Sequence, residues 1–281
     1  MQVRFYLSQY EAENYVIRAL YTGCPEEKTL TTLDDYQPSD VAVVMGVFKK
    51  NIPASFKRGH VIHEQNKRGL NNLILETGYV NRGDGPFNHY ALGWNGLNGR
   101  ADFRNKGMPA DRAEKLPVKL QPWKASGDYI LVCGQVPWDA SCDFIDYEQW
   151  LGFILGVCKS STDKRVILRP HPKCGLSLVE RKDRSTIRSI EEDVKDAHCV
   201  VSFNSNSGVD AVIAGTPNIV FDSGAMAYEV SHNKDVIDFD KLPRPDRTQW
   251  FNNLAYAQWN PSEMRSGEAW NHISRTNSTK Q

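Results

Sequence analysis

Short apolar strands alternating with helix-length stretches limit what this chain can fold into more than any other feature. VAVVMGV (41–47) is a continuous apolar run rich in β-branched residues, as expected of a parallel strand covered on both faces. VRFYL (3–7) and NLILETG (72–78) read as further strands, with helices across EAENYVIRAL and from Pro53 to about Lys67. The rhythm resumes after residue 125. YILVCG (129–134), RVILRPHP (165–172), CVVSF (199–203) and NIVFD (218–222) are expected strands. FIDYEQWLGFILGVCKS (144–160), SIEEDVKDA and SGVDAVIAG (207–215) are expected helices; Ser189 with Glu192 suggests a capping box, and Gly215 a helix end. Alternation of this kind means βαβ units and open parallel sheets, so the expected class is α/β with two Rossmann-like domains.

The expected boundaries are a first domain over 1–125 and a second over 126–240, with KLPVKLQPWKASG (115–127) as the linker. A C-terminal segment, 241–281, carries the helix-like stretch RTQWFNNLAYAQW (247–259) and is expected to pack back toward the first domain. Residues 79–125 break the rhythm. They hold too many Gly and Asn for a long helix and too many aromatics for a disordered linker, and long irregular segments inside domains tend to be functional.

Formal net charge is zero, but it is unevenly placed. Residues 1–40 hold 3 Lys/Arg against 7 Asp/Glu, residues 41–125 hold 14 against 6, and residues 126–281 hold 17 against 21. A basic middle segment is either a surface for phosphates or a solvated lysine-rich face. It also interleaves Phe48, Phe56, Tyr79, Phe87, Tyr90, Trp94, Phe103 and Trp123, which either stack on bases or belong to the core. Arg82, Trp94, Arg100 and Arg104 are the candidate acceptor-binding residues of that segment.

Six cysteines occur with no C-x-x-C pair and no Cys/His cluster at zinc spacing, so buried free thiols and no metal are expected. No apolar run approaches the ~20 residues that a membrane span needs. The N-terminus, MQVRFYLSQYEAENY, is polar within its first turns and does not read as a secretory signal, which makes the cytoplasm the expected location.

In open α/β sheets, ligands sit beyond the C-terminal ends of the strands. Three expected strand ends carry conspicuous residues. GQVPWDAS (134–141) places Gln135 and Asp139, and a carboxylate there is a general base, a nucleophile at an anomeric carbon, or a turn former. RPHPK (169–173) supplies Arg169, His171 and Lys173; an imidazole held between two prolines can bind a diphosphate as it leaves. FNSNSGVDAVIAGTP (203–217) opens a helix with Ser205, Asn206, Ser207 and Gly208, where backbone N–H groups and the helix dipole suit a phosphate. Ser207 is the expected N-cap, and Asp210 either meets a ribose hydroxyl or favours the dipole.

In this order the three motifs resemble the capsule-polysaccharide glycosyltransferases, the bacterial Kdo transferases and their relatives, which have GT-B-like folds. That family's pattern is a Q-x-x-x-D loop, a K/R-x-HP turn, and a serine-rich turn before an E-A-L-x-x-G-x-P helix. Gln135 and Asp139 match the first, His171 and Pro172 the second, and Ser207 through Pro217 the third, over roughly residues 128–222. The resemblance implies a nucleotide-sugar donor but not which sugar it carries; a UDP-sugar is the working expectation. No metal or other cofactor is expected, since fixed cationic groups and helix dipoles can take its place. It makes Asp139 the catalytic carboxylate, His171 a contact of the donor phosphate, and the 203–208 turn the nucleotide holder. Asp210 departs from the pattern by standing where the family usually has Glu, a shorter reach.

ILETGYVNRGDGPFNHYALGWNGLNGRADF is similar instead to small glycosyltransferase-like proteins of tailed bacteriophages, some of which decorate hydroxymethylated pyrimidines in phage DNA. That likeness implies hydroxymethylated DNA as the first-choice acceptor and the host cytoplasm as the location. A bacterial capsule or surface polysaccharide is the alternative acceptor. A non-catalytic module binding nucleotide-sugar or DNA is the second alternative.

Overall fold

The computed structural model describes residues 1–49, 52–82, 85, 87–174, 188–233 and 237–275. The chain divides into two compact units, Met1–Pro117 with Asn252–Gln281, and Val118–Phe251. In chain order the first part contains β1 (Gln2–Leu7), α1 (Glu11–Gly23), β2 (Glu27–Thr32), β3 (Val41–Met45), α2 (Phe56–Lys67), β4 (Asn71–Thr77) and β5 (Tyr90–Trp94). Next come β6 (Tyr129–Cys133), α3 (Tyr147–Ser161), β7 (Arg165–Arg169), α4 (Ile190–Asp196), β8 (Ala197–Ser202), α5 (Ser207–Ile213) and β9 (Asn218–Val220). The chain ends with α6 (Thr248–Tyr256), β10 (Gln258–Trp259), α7 (Pro261–Arg265) and α8 (Glu268–Ile273).

In the first unit the strands lie in the order β10-β5-β4-β3-β1-β2. β2, β1, β3 and β4 are mutually parallel, whereas β5 runs antiparallel to β4, and β10 antiparallel to β5. Val43, Leu73 and Leu75 bury one face of this sheet beneath Val16, Ile17 and Leu20 of α1. Tyr6, Ala42, Val44 and Ile74 bury the other beneath Val61 of α2. Cover on both faces is the reason β3 reads as an unbroken apolar run.

The second unit holds a four-stranded, fully parallel sheet in the order β7-β6-β8-β9. Ile130, Val132, Val201 and Ile219 pack beneath Ile154 and Cys158 of α3, while Leu131 and Val200 pack beneath Val194 of α4 and Ala211 of α5. The capping box at α4 forms as expected, with Ser189 and Glu192 each accepting from the other's backbone N–H. In both sheets the first parallel strand lies between the second and the third. The winding therefore reverses between β1 and β3 and again between β6 and β8, which makes each gap a topological switch point.

Two elements depart from the expected pattern. β2, EKTLTT, falls in the stretch read as turns; it is an edge strand with no fully buried residue, so the apolar signal is missing. β5, YALGW, lies inside the irregular 79–125 segment and is buried along its whole length. The C-terminal segment supplies its partner β10, where the buried Gln258 side-chain oxygen accepts from the backbone N–H groups of Tyr79 (2.6 Å) and Val80 (2.9 Å). Arg112 lies over the Trp259 ring at 3.7 Å and pairs with Glu263, tying the end of the basic segment to the same strand.

The cysteines among the described residues are unbridged; Cys174 is half-buried and the others are buried. No group of three or more His, Cys, Asp or Glu among the described residues could hold a metal ion, and no helix there is long and apolar enough to cross a membrane.

Candidate donor site at the strand ends of the second unit

The loops after β6, β7, β8 and β9 are joined by hydrogen bonds at the C-terminal edge of the parallel sheet. Gly134 N–H donates to Arg169 O at 2.8 Å, linking the ends of β6 and β7. Gln135 leaves β6 with its backbone N–H on the Tyr147 hydroxyl at 2.7 Å. Its side-chain Nε2 donates to Asn204 Oδ1 (2.7 Å), and its Oε1 accepts from Asn204 N–H (2.9 Å). The buried Gln135 amide is therefore a brace between two loops, across the switch point, rather than a group presented to a ligand.

Asp139 sits half-buried in the loop after β6. Its Oδ1 accepts from Ser141 N–H at 3.0 Å and its backbone carbonyl from Cys142 N–H at 2.9 Å, a local Asx-type turn that orients the carboxylate. Beyond β7, His171 Nδ1 accepts from Lys173 N–H at 3.1 Å. That bond assigns the neutral ring's proton to Nε2, an N–H of the kind whose proton a phosphate oxygen accepts. Lys173 is exposed. The half-buried Cys174 donates through its thiol to Gln135 O at 3.5 Å, which ties the His171 turn to the β6 loop.

Arg169 has a different role from the one its position suggested. Its guanidinium meets Asp193 Oδ2 at 2.5 Å and Arg188 O at 2.8 Å, and the Asp193 side chain is 2% exposed. Arg188 reaches the same carboxylate only at 3.8 Å, so Arg169 is its close partner; a buried carboxylate that loses its close cation is costly, and this pair holds α4 against β7. Arg169→Met is expected to destabilise the second unit by about 3 kcal/mol in urea unfolding. A loss below about 1 kcal/mol would return Arg169 to the donor.

The turn after β8 also corrects one expectation. Ser207 is the first residue of α5 and not its N-cap; Asn206 takes that position, without a side-chain capping bond. The cause is Ser205, whose Oγ accepts from Ser207 N–H (3.2 Å) and whose carbonyl accepts from Gly208 N–H (3.0 Å), so the helix starts one residue earlier. The Ser207 hydroxyl turns inward beside the Cys133 thiol, which burial pushes up to about 12, so that thiol is a neutral packing group. Gly208 allows close packing, since a Cβ there would lie 2.6 Å from Asn218 Nδ2. Ser205, Asn206 and Asp210 remain half-buried at this edge.

In the first unit, the candidate acceptor residues do not form a stacking surface. Trp94 is 8% exposed and belongs to the core; its indole N–H donates to Ile273 O at 2.8 Å. Arg104 lies over that ring, pairs with Asp102 at 2.9 Å and donates to Arg275 O at 2.7 Å. Arg82 donates to Tyr79 O at 2.9 Å, and Arg100 is exposed on a short 3-10 turn. Tyr79, Tyr90 and Phe103 are buried as well, while Phe48, Phe56 and Phe87 are exposed. Half of the eight aromatics thus belong to the core.

Asn204 and Asp222 carry the bracing at this edge, and the sequence reading passed over both. Their signal was available: Asn204 directly follows one expected strand and Asp222 is the last residue of another, at the position where ligand-edge residues gather.

No family model matches this chain, and no curated protein matches it. Solved structures do. KpsC, β-Kdo 2,4 transferase, of Thermosulfurimonas dismutans is similar with a TM-score of 0.59 and 13% identity, over 90% of this chain and 89% of that one. KpsC, β-Kdo 2,7 transferase, of the same organism is similar with a TM-score of 0.57 and 14% identity, over 95% of this chain and 97% of that one. With two Rossmann-like units and these neighbours, the chain has a GT-B-like fold, the fold of the KpsC Kdo transferases.

Proposed function

We propose that this protein is a glycosyltransferase that moves a sugar from a nucleotide-sugar to a hydroxyl of a glycan of the capsule or surface-polysaccharide type. One observation carries the reading. The three motifs lie far apart in sequence, yet their loops meet at one edge of one parallel sheet: Gln135 and Asn204 join the first and third across the switch point, and the Cys174 thiol and Gly134 N–H tie the second to the β6 loop. Fold likeness to two transferases named for Kdo transfer supports the same reading. In it, His171 Nε2–H, Lys173 and the Ser205–Gly208 turn receive the donor phosphates and stabilise the leaving diphosphate. Asp139 either deprotonates the acceptor hydroxyl, with inversion, or attacks the anomeric carbon, with retention.

A hydroxymethylated-DNA acceptor has less support. It relied on aromatic and arginine residues of the basic segment, of which Trp94 is core and Arg104 is held by Asp102 and Arg275.

The test is thermal unfolding against a panel of UDP-, GDP- and CMP-sugars, with CMP-Kdo included. One donor at about 100 times its Kd is expected to add about 2.7 kcal/mol, visible as a rise of several degrees in Tm. If no member of the panel shifts Tm, the donor assignment fails.

A further inference from the structure

We propose that Asn204 is a positioning residue for the transfer reaction, holding the Asp139 loop in place through Ser141; this rests on the glycosyltransferase reading above. Asn204 is 2% exposed and sits at the switch point, two residues beyond the end of β8. Its Nδ2 has two protons and both are used, one on Ser141 O at 2.6 Å and one on Asp222 Oδ2 at 2.6 Å. Its Oδ1 accepts from Gln135 Nε2 at 2.7 Å. The opposite amide orientation would set an oxygen against a carbonyl and a carboxylate, so the neighbours dictate which way the side chain points.

Ser141 carries the effect to the reacting group. Its carbonyl is gripped by Asn204, and its N–H donates to Asp139 Oδ1 at 3.0 Å. The chain Asp222–Asn204–Ser141–Asp139 thus runs from the end of β9 to the carboxylate, with every bond 3.0 Å or shorter. Gly224 N–H on Asp222 Oδ2 at 3.2 Å fixes the far end. A polar chain anchored on the buried Asn204 and Asp222 is stiff, and stiffness is what a carboxylate needs to meet an anomeric carbon or a hydroxyl at reacting distance.

Asn204→Ala removes the grip on Ser141 together with the side-chain bonds to Gln135 and Asp222, and leaves the side chains of His171, Lys173 and Ser205 in place. The expected result is a kcat lower on the order of 100-fold, with donor affinity changed by less than about threefold. Amide exchange of Ser141 and Cys142 should rise at the same time, while that of β6 does not.

Asn204→Asp combined with Asp222→Asn separates positioning from mere packing. The pair restores one neutral–charged contact between the two positions, at the loss of the acceptor for Gly224 N–H, and so should recover most of the Tm that Asn204→Ala loses. Ser141 O still faces an oxygen instead of a donor, so kcat should stay low. Full recovery of kcat with Tm, or an Asn204→Ala enzyme with wild-type kcat and unchanged amide exchange, overturns the proposal. A wild-type protein that neither binds nor turns over any nucleotide-sugar overturns the functional reading instead.

Discussion

Asp139→Asn is expected to lower kcat by about 1,000-fold while the protein stays folded and binds its donor as before. Asparagine keeps the side-chain oxygen that accepts Ser141 N–H, so the Asx-type turn after β6 survives. What disappears is the negative charge, and with it, in the proposed reaction, either the basicity to take a proton from the acceptor or the nucleophilicity to capture the sugar. The product's anomeric configuration in the wild-type reaction tells these two apart. Turnover of the variant within about threefold of wild type would remove Asp139 from the chemistry.

Gly215→Ala is expected to disrupt the second unit as severely as any single methyl group can. Gly215 follows α5 at φ +76°, and a Cβ there would lie 2.0 Å from Pro122 O and 2.9 Å from Pro122 C. The segment cannot readily yield, because Gln121 N–H donates to Ile213 O (2.9 Å) and Lys124 N–H to Gly215 O (2.8 Å). Left-handed strain and overpacking together should cost about 3–5 kcal/mol. Gly107→Ala is the control: Gly107 has a similar φ of +68° with nothing within 4 Å of its Cβ position. That variant should lose only about 1 kcal/mol. Equal losses at the two sites, measured by urea unfolding, would show that φ alone matters and that the approach of Pro122 does not.

The strands that were legible in the sequence are those buried on both faces, β3, β6 and β8 above all, because a doubly covered strand carries a near-continuous apolar run. β2 was illegible because an edge strand keeps its polar residues, and β10 because two residues carry no period. β5 was hidden among turn formers, although its residues are as buried as those of β6. Trp94 shows the same limit from the other side: an aromatic in a basic segment looks the same in sequence whether it faces a ligand or fills a core.

At the candidate site, strand-end logic located the loops but not the division of labour within them. Gln135 and Asn204 are 69 residues apart, and nothing local in either motif announces that their amides meet. Arg169 read as a phosphate ligand because its partner, Asp193, lies on a helix 24 residues away. The N-cap moved from Ser207 to Asn206 because Ser205, Asn206 and Ser207 are all capable of capping, and only the fold selects among them.

The most direct measurement is mass spectrometry of an acceptor incubated with the protein and the nucleotide-sugar that stabilises it. A short surface-polysaccharide oligosaccharide should gain the mass of one sugar residue, with one nucleotide released per transfer. The rate should change little between about 50 and 200 mM salt, since no polyanion is being gripped. An unmodified oligosaccharide alongside hydroxymethylcytosine DNA that gains the sugar, at a rate falling steeply over that salt range, would contradict the account.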